Sequence, residues 1–225
     1  MGGALGQSLP FALGLALSPF PLVAMVLILS TPRGRTNGII FALSSISGVA
    51  AVGAIVLVLS GDEAASDSGA PADWVSWLRI ALGLVLLAYG VRSLHGSAPG
   101  EAPAELPAWM RSLDTLTPGK AVGMGLLLSA LNPKNLALAV AGSAAIAQAE
   151  LPAGEASIAL AVFVAAATLG ATVPLAIYLS LGDRGAAMLQ GPKDWMVRNS
   201  DVVVAVLMLI FGAVLIGNGV SGLSA

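Results

Sequence analysis

Continuous apolar runs separated by short polar connections dominate the chain. Stretches of about 20 apolar residues, enough for a helix to cross a bilayer, run over Leu9–Ser30, Gly38–Ser60, Val75–Leu94, Ala121–Ala147, Ile158–Leu181 and Val202–Leu223. They lack the alternation of barrel strands, in which lipid-facing and lumen-facing residues take turns. The pattern therefore predicts an all-α integral membrane protein with six transmembrane helices. No basic residue precedes the first run, and Arg33 and Arg35 follow it. That order marks a retained span rather than a cleaved leader.

Composition agrees with the pattern and narrows the chemistry. Hydrophobic residues make up 57% of the 225 positions and charged residues only 10%, against about 25% charged in an ordinary soluble domain. A net charge of −2 with no basic face gives nucleic acid nothing to hold. Cysteine is absent, which removes disulfides, thiolate metal sites and thiol relays. With a single histidine, His95, the sequence calls for neither a metal nor a cofactor. Its expected partners are membrane lipids and a small-molecule or lipid substrate, and a homodimer is left open.

The placement of charge orients the spans. Basic residues fall in three connections: Arg33 and Arg35; Arg92, Arg111 and Lys120; Arg184, Lys193 and Arg198. The two other loops carry only acids, namely Asp62, Glu63, Asp67, Asp73, Glu150 and Glu155. The positive-inside rule puts the basic connections in the cytoplasm and both termini outside a multi-pass cytoplasmic (inner) membrane protein. Trp109-Met110 and Trp195-Met196 read as interfacial anchors on the cytoplasmic side. Trp74 and Trp77 read as belt residues on the outer side, with Arg79 snorkelling past them.

The two halves resemble each other. Leu17-Ser18-Pro19-Phe20-Pro21-Leu22 in the first run matches Leu131-Asn132-Pro133-Lys134-Asn135-Leu136 in the fourth. Phe41 and Gly48 match Phe163 and Gly170, and Gly83, Leu86, Gly90, Val91 and Leu94 match Gly212, Leu215, Gly219, Val220 and Leu223. The chain thus divides into a three-helix repeat over 1–99, a cytoplasmic connection over 100–120 and a second repeat over 121–225. Three spans are an odd number, so the copies are inverted, as in many secondary transporters. Each proline lacks an N–H and drives the residue before it out of helical geometry. Spans one and four are therefore expected to be broken helices.

Lys134 lies 13 residues into the run that begins at Ala121, roughly 20 Å along a helix. A lysine at the bilayer centre costs about 2.5–3.5 kcal/mol to insert and normally faces a cavity or a partner. No Asp or Glu lies deep in any run; Asp201 stands at the cytoplasmic start of the last. An unpaired cation beside broken-helix termini suits an anionic group. The expected substrate site is Lys134, Asn132, Asn135 and Ser18, shaped by Pro19, Pro21 and Pro133. Ser44, Ser45, Ser47, Thr168, Thr172 and Tyr178 are candidates to line the path, although membrane hydroxyls commonly bond their own backbone.

At these residues the chain resembles the lysine-exporter (LysE) superfamily. The likeness is greatest to its actinobacterial branch, the GAP or sulfolipid-addressing-protein family. It rests on Leu17-Ser18-Pro19-Phe20-Pro21, the basic turn Thr31-Pro32-Arg33-Gly34-Arg35, and Leu131-Asn132-Pro133-Lys134-Asn135. The resemblance implies a six-span membrane transporter that exports small molecules or moves envelope lipids. Some relatives look like divalent-cation transporters and others pass reducing equivalents through cysteines; this chain has neither deep carboxylates nor any cysteine. The expected function is a secondary transporter or flippase-like exporter for a small anionic or amphiphilic substrate. The alternatives are an amino-acid or small-metabolite exporter and a non-transporting subunit of envelope-lipid machinery. An enzyme is not expected, since the sequence offers only a Ser18–Lys134 pair as nucleophile and base.

Overall fold

The computed structural model describes residues 1–63, 73–96 and 116–223, and every regular element among them is helical. Helix α1 (Gly2–Ala16) and α2 (Pro19–Leu29) meet at a 48° bend. Ser18, between them, has φ −63° and ψ 122°, the extended conformation that a following proline imposes. α3 (Gly34–Glu63) runs unbroken for 30 residues, and α4 spans Asp73–Gly96. Next come α5 (Pro118–Leu126), a π-helical turn over Leu127–Leu131, and α6 (Pro133–Ala147), with a 60° bend before α6. Asn132 at that bend has φ −62° and ψ 126°, nearly the backbone of Ser18. Both new helices open with proline at the first position, where its missing N–H costs nothing.

A third bend was not expected from the sequence. α7 (Ala153–Ala167) and α8 (Leu169–Leu181) meet at 66° around Thr168, although no proline follows it directly. Thr168 sits at φ −96° and ψ 6°, and its hydroxyl donates to the Val164 carbonyl at 2.9 Å. Such back-bonding bends helices. Pro174 adds to the effect by removing the N–H that would reach the Gly170 carbonyl. α9 (Asp183–Arg198) and α10 (Ser200–Leu223) complete the chain.

Among the described residues two stretches, Gly34–Ser60 and Ala205–Leu223, are individually long and apolar enough to cross a membrane, and counting each bent pair as one span gives up to five. In α4 the described apolar segment, Gly83–Arg92, is shorter. Helices start earlier than the apolar runs, at Gly2 instead of Leu9 and at Gly34 instead of Gly38, because flanking polar residues extend a helix without adding to its hydropathy. Trp109, Met110, Arg111 and Asp67 lie outside the described residues, as do the side chains of Trp74, Arg79, His95 and Asp201. Trp77 is exposed on α4, and α9 is an amphipathic helix with Trp195 exposed and Met196 buried.

The helices sort into two contact units: α1–α3 with α5–α9, and α4 with α10. In the larger unit α2 is the most enclosed element, with Ala24, Met25 and Ile28 fully buried against Phe41 of α3 and Ala171 and Leu175 of α8. Large apolar side chains such as Leu43, Val58 and Leu59 of α3 are exposed, as lipid-facing positions require. Asn37 Nδ2 donates to the Leu116 carbonyl at 2.9 Å and ties the start of α3 to the approach of α5. Elsewhere the Met1 ammonium lies 3.6 Å from Glu155 at the start of α7.

In the smaller unit α4 and α10 pack antiparallel on glycine. A Cβ on Gly83 would stand 2.8 Å from the Gly212 carbonyl oxygen, and a Cβ on Gly212 would stand 2.8 Å from that of Gly83. Two turns along α4, Gly90 meets the Ala205 carbonyl; two turns along α10, Gly219 meets that of Ser76. The glycines let the backbones touch, the usual route to tight helix pairs in lipid.

Candidate functional site

Residues beside all three helix breaks of the larger unit line one small cavity, and a side-chain bond joins the first break to the second. Ser18 makes no capping bond to its own helix, and its side chain is fully buried. Its Oγ instead accepts from Lys134 Nζ at 3.5 Å, linking the first break to the second across the chain. Asn132 caps α6, its Oδ1 accepting from the Lys134 backbone N–H at 3.1 Å, a favourable use of asparagine at this position. No ion pair to the half-buried Lys134 occurs among the described residues.

Asn135, 1% exposed, donates through Nδ2 to the Leu128 carbonyl at 2.7 Å. The donor is needed there, because Pro133 has no N–H to return to the π turn. Asn135 Oδ1 is left buried without a hydrogen-bond partner. Beside it lies a small cavity lined by Leu15, Pro21, Val49, Ser129, Asn135, Ala167, Thr168, Gly170 and Ala171. Its volume of about 10 Å³ suits a single water-sized occupant. Ser129 Oγ donates to Ser45 Oγ at 2.8 Å, and Ser45 Oγ in turn donates to the Phe41 carbonyl at 2.9 Å.

The residues expected at the site fall into three groups. Ser18, Lys134 and Asn132 meet at the junction of the first two breaks, with Pro19 and Pro133 opening the second half-helices. Pro21, Asn135 and Thr168 stand around the cavity. The remaining path candidates lie elsewhere: Ser44 and Thr172 donate to the carbonyls of Ile40 and Thr168 at 2.8 and 3.1 Å, Ser47 is exposed, and Tyr178 packs on the apolar cluster around α2. Ser129 was missed. The signal was a polar residue every third position, Ser129, Asn132 and Asn135, in an otherwise apolar run.

Two backbone approaches frame the cavity. Gly48 of α3 lies against Ala130, two residues before Asn132, where a Cβ would stand 2.9 Å from the alanine methyl. Gly170 of α8 lies against the carbonyl of Ala16, two residues before Ser18, at 2.5 Å by the same measure.

A family model described as Sap, sulfolipid-1-addressing protein, matches residues 9–221. The chain belongs to the sulfolipid-1-addressing protein family. The Sap match extends from α1 to α10 and takes in all three bends, Lys134 and every residue of the cavity. Together with the long apolar helices it makes this a membrane protein. No curated protein and no solved structure matches the chain.

Proposed function

We propose that the protein is a secondary transporter or flippase-like exporter. Its substrate is a small anionic or amphiphilic molecule, an envelope lipid or its precursor, carried across the cytoplasmic membrane. The observation that carries this reading is the Lys134 ammonium at the junction of two broken helices, bound to Ser18 and without a carboxylate partner among the described residues. Irregular backbone at membrane depth persists only where protein or a polar cavity satisfies it. A cation held there recognises an anionic headgroup. The family name, with its reference to a sulfolipid, favours a lipid over an amino acid.

The reading includes six spans in two inverted repeats, as in the lysine-exporter superfamily. The paired glycine contacts support it. Gly48 and Gly170, matched in sequence, approach Ala130 and Ala16, which stand at matched places ahead of the two breaks. Gly83 and Gly212, also matched, meet each other, and the contacts on either side of them mirror about that point. The bond from Asn37 to Leu116 groups two basic connections at one end, and the Met1–Glu155 pair groups the N-terminus with an acidic loop. Both groupings favour cytoplasmic basic loops and an N-terminus outside.

Transport of a labelled anionic lipid into or out of liposomes containing the purified protein tests the reading. Lys134→Ala is expected to abolish transport with thermal stability near wild type, and Lys134→Arg to retain part of it. Undiminished transport by Lys134→Ala would remove the proposed role. A wild-type protein that moves no lipid alone but copurifies with an envelope-lipid enzyme would replace transport with a subunit role.

A further inference from the structure

Helix α9 follows α8 after a single residue, Gly182, so it begins where the bent α7–α8 segment ends. With Asp183, Arg184, Lys193, Asp194 and Arg198 among its residues it is too polar for the bilayer core. One face is committed to the protein. Leu189 joins the apolar cluster around Met25 and Ile28 of α2, and Gly185 lies against the Ile177 carbonyl of α8. Met196 is buried on the same face, two turns beyond Leu189. Trp195-Met196 is therefore not the anchoring pair that the sequence suggested. The most exposed large apolar residues of α9 are Met188 and Trp195, at 66% and 54%.

Arg184, Met188, Gly191, Trp195 and Arg198 follow one another at intervals of four, three, four and three, which sets them on a single stripe of the helix. All five are exposed. An arginine stands at each end, about 21 Å apart along the axis, and the two large apolar side chains lie between them, about 10 Å apart. Gly191 keeps the middle open, since a Cβ there would meet nothing within 4 Å. Neither arginine has an ion-pair partner among the described residues. Lys193, off the stripe, is held by Asp194 at 3.2 Å and Gln190 at 2.7 Å. Asp183 and Asp194 also fall outside the stripe in register, so its charge is wholly positive. An amphipathic helix with this chemistry, placed directly after a membrane segment, fits the boundary between acyl chains and headgroups. A zwitterionic surface would leave its two positive charges unbalanced, whereas an anionic one attracts each of them. We propose that this stripe docks on anionic phospholipids of the adjacent leaflet, Arg184 and Arg198 on the headgroup phosphates and Met188 and Trp195 among the upper acyl chains. The docking does not depend on transport; only the assignment of that leaflet to the cytoplasm rests on the topology proposed above.

The test uses the intact chain with Trp74, Trp77 and Trp109 each changed to Phe, which leaves Trp195 as its one tryptophan. The protein is reconstituted in phosphatidylcholine bilayers containing brominated phosphatidylglycerol or, at equal mole fraction, brominated phosphatidylcholine, and quenching of Trp195 fluorescence is measured. The anionic lipid is expected to quench more strongly, and its excess to shrink in high salt. Arg184→Gln and Arg198→Gln should each lower the preference about fivefold, the scale of one basic side chain at an anionic surface, with the melting temperature unchanged. Arg184→Lys, which keeps the charge, should retain most of the preference. Equal quenching by the two lipids overturns the proposal and leaves an anchor indifferent to headgroup charge. Quenching by neither lipid sets the stripe against water or another protein and overturns it too, as does a preference untouched by both glutamine substitutions.

Discussion

The α4–α10 pair and the α1–α3, α5–α9 unit are built from the same apolar vocabulary and use glycine in the same way, yet among the described residues only the larger unit gathers broken helices around a cavity. In the pair, both helices run 24 residues without a break and meet where Gly83 faces Gly212. In the larger unit, Gly48 and Gly170 make equally close approaches, but to segments that end two residues later in a bend. Close packing alone gives a rigid contact with its backbone bonds kept inside each helix. Close packing beside a broken helix leaves carbonyls and polar side chains that must find partners at depth. Lys134, Asn135 and Thr168 all stand at such breaks.

Alanine at two of these glycines sharpens the contrast most. Gly83→Ala and Gly170→Ala each drive a Cβ against a backbone carbonyl that cannot swing away, so each is expected to cost about 1–3 kcal/mol, measured by denaturant or thermal unfolding in detergent. Gly170→Ala should also reduce transport, because it pushes α8 off α1 at the cavity, while Gly83→Ala should leave transport unchanged per folded molecule. Equal functional loss in the two variants would erase the distinction. Next in size, Asn132→Ala removes a cap and should cost about 1 kcal/mol. Ser18→Ala, at the matched break, removes no capping bond and should destabilise less, showing its effect in transport. Smallest is Ser47→Ala, an exposed hydroxyl, which should fall within about 0.5 kcal/mol of wild type and leave transport rates alone. A large transport defect there would return α3 to the substrate path.

The bends at Ser18 and Asn132 were legible because their cause is local. Proline at the next position removes a donor and restricts its neighbour whatever surrounds it. The bend at Thr168 was not, because a threonine in an apolar run can bond its own helix without breaking it. Here back-bonding acts together with Pro174 and with the contact of Gly170 on Ala16, a residue far away in sequence. The path-lining candidates divided for the same reason. Ser44, Thr168 and Thr172 all spend their hydroxyls on carbonyls four residues back, and of the three only Thr168 also lines the cavity, a difference of position that residue type does not encode. Ser129 is the reverse case, a serine whose bond to Ser45 joins two segments distant in sequence.

By itself the sequence determined the membrane class, the apolar runs, two of the three bends and the isolation of Lys134 among apolar residues. Each follows from hydropathy or from the covalent chemistry of proline, which act within one turn of the chain. Tertiary structure alone decided that three bends share one cavity, that Ser18 meets the lysine, and that α4 pairs with α10 through mirrored glycines. Those facts depend on which backbones can approach closely enough to touch, and that is settled only when all the helices pack at once.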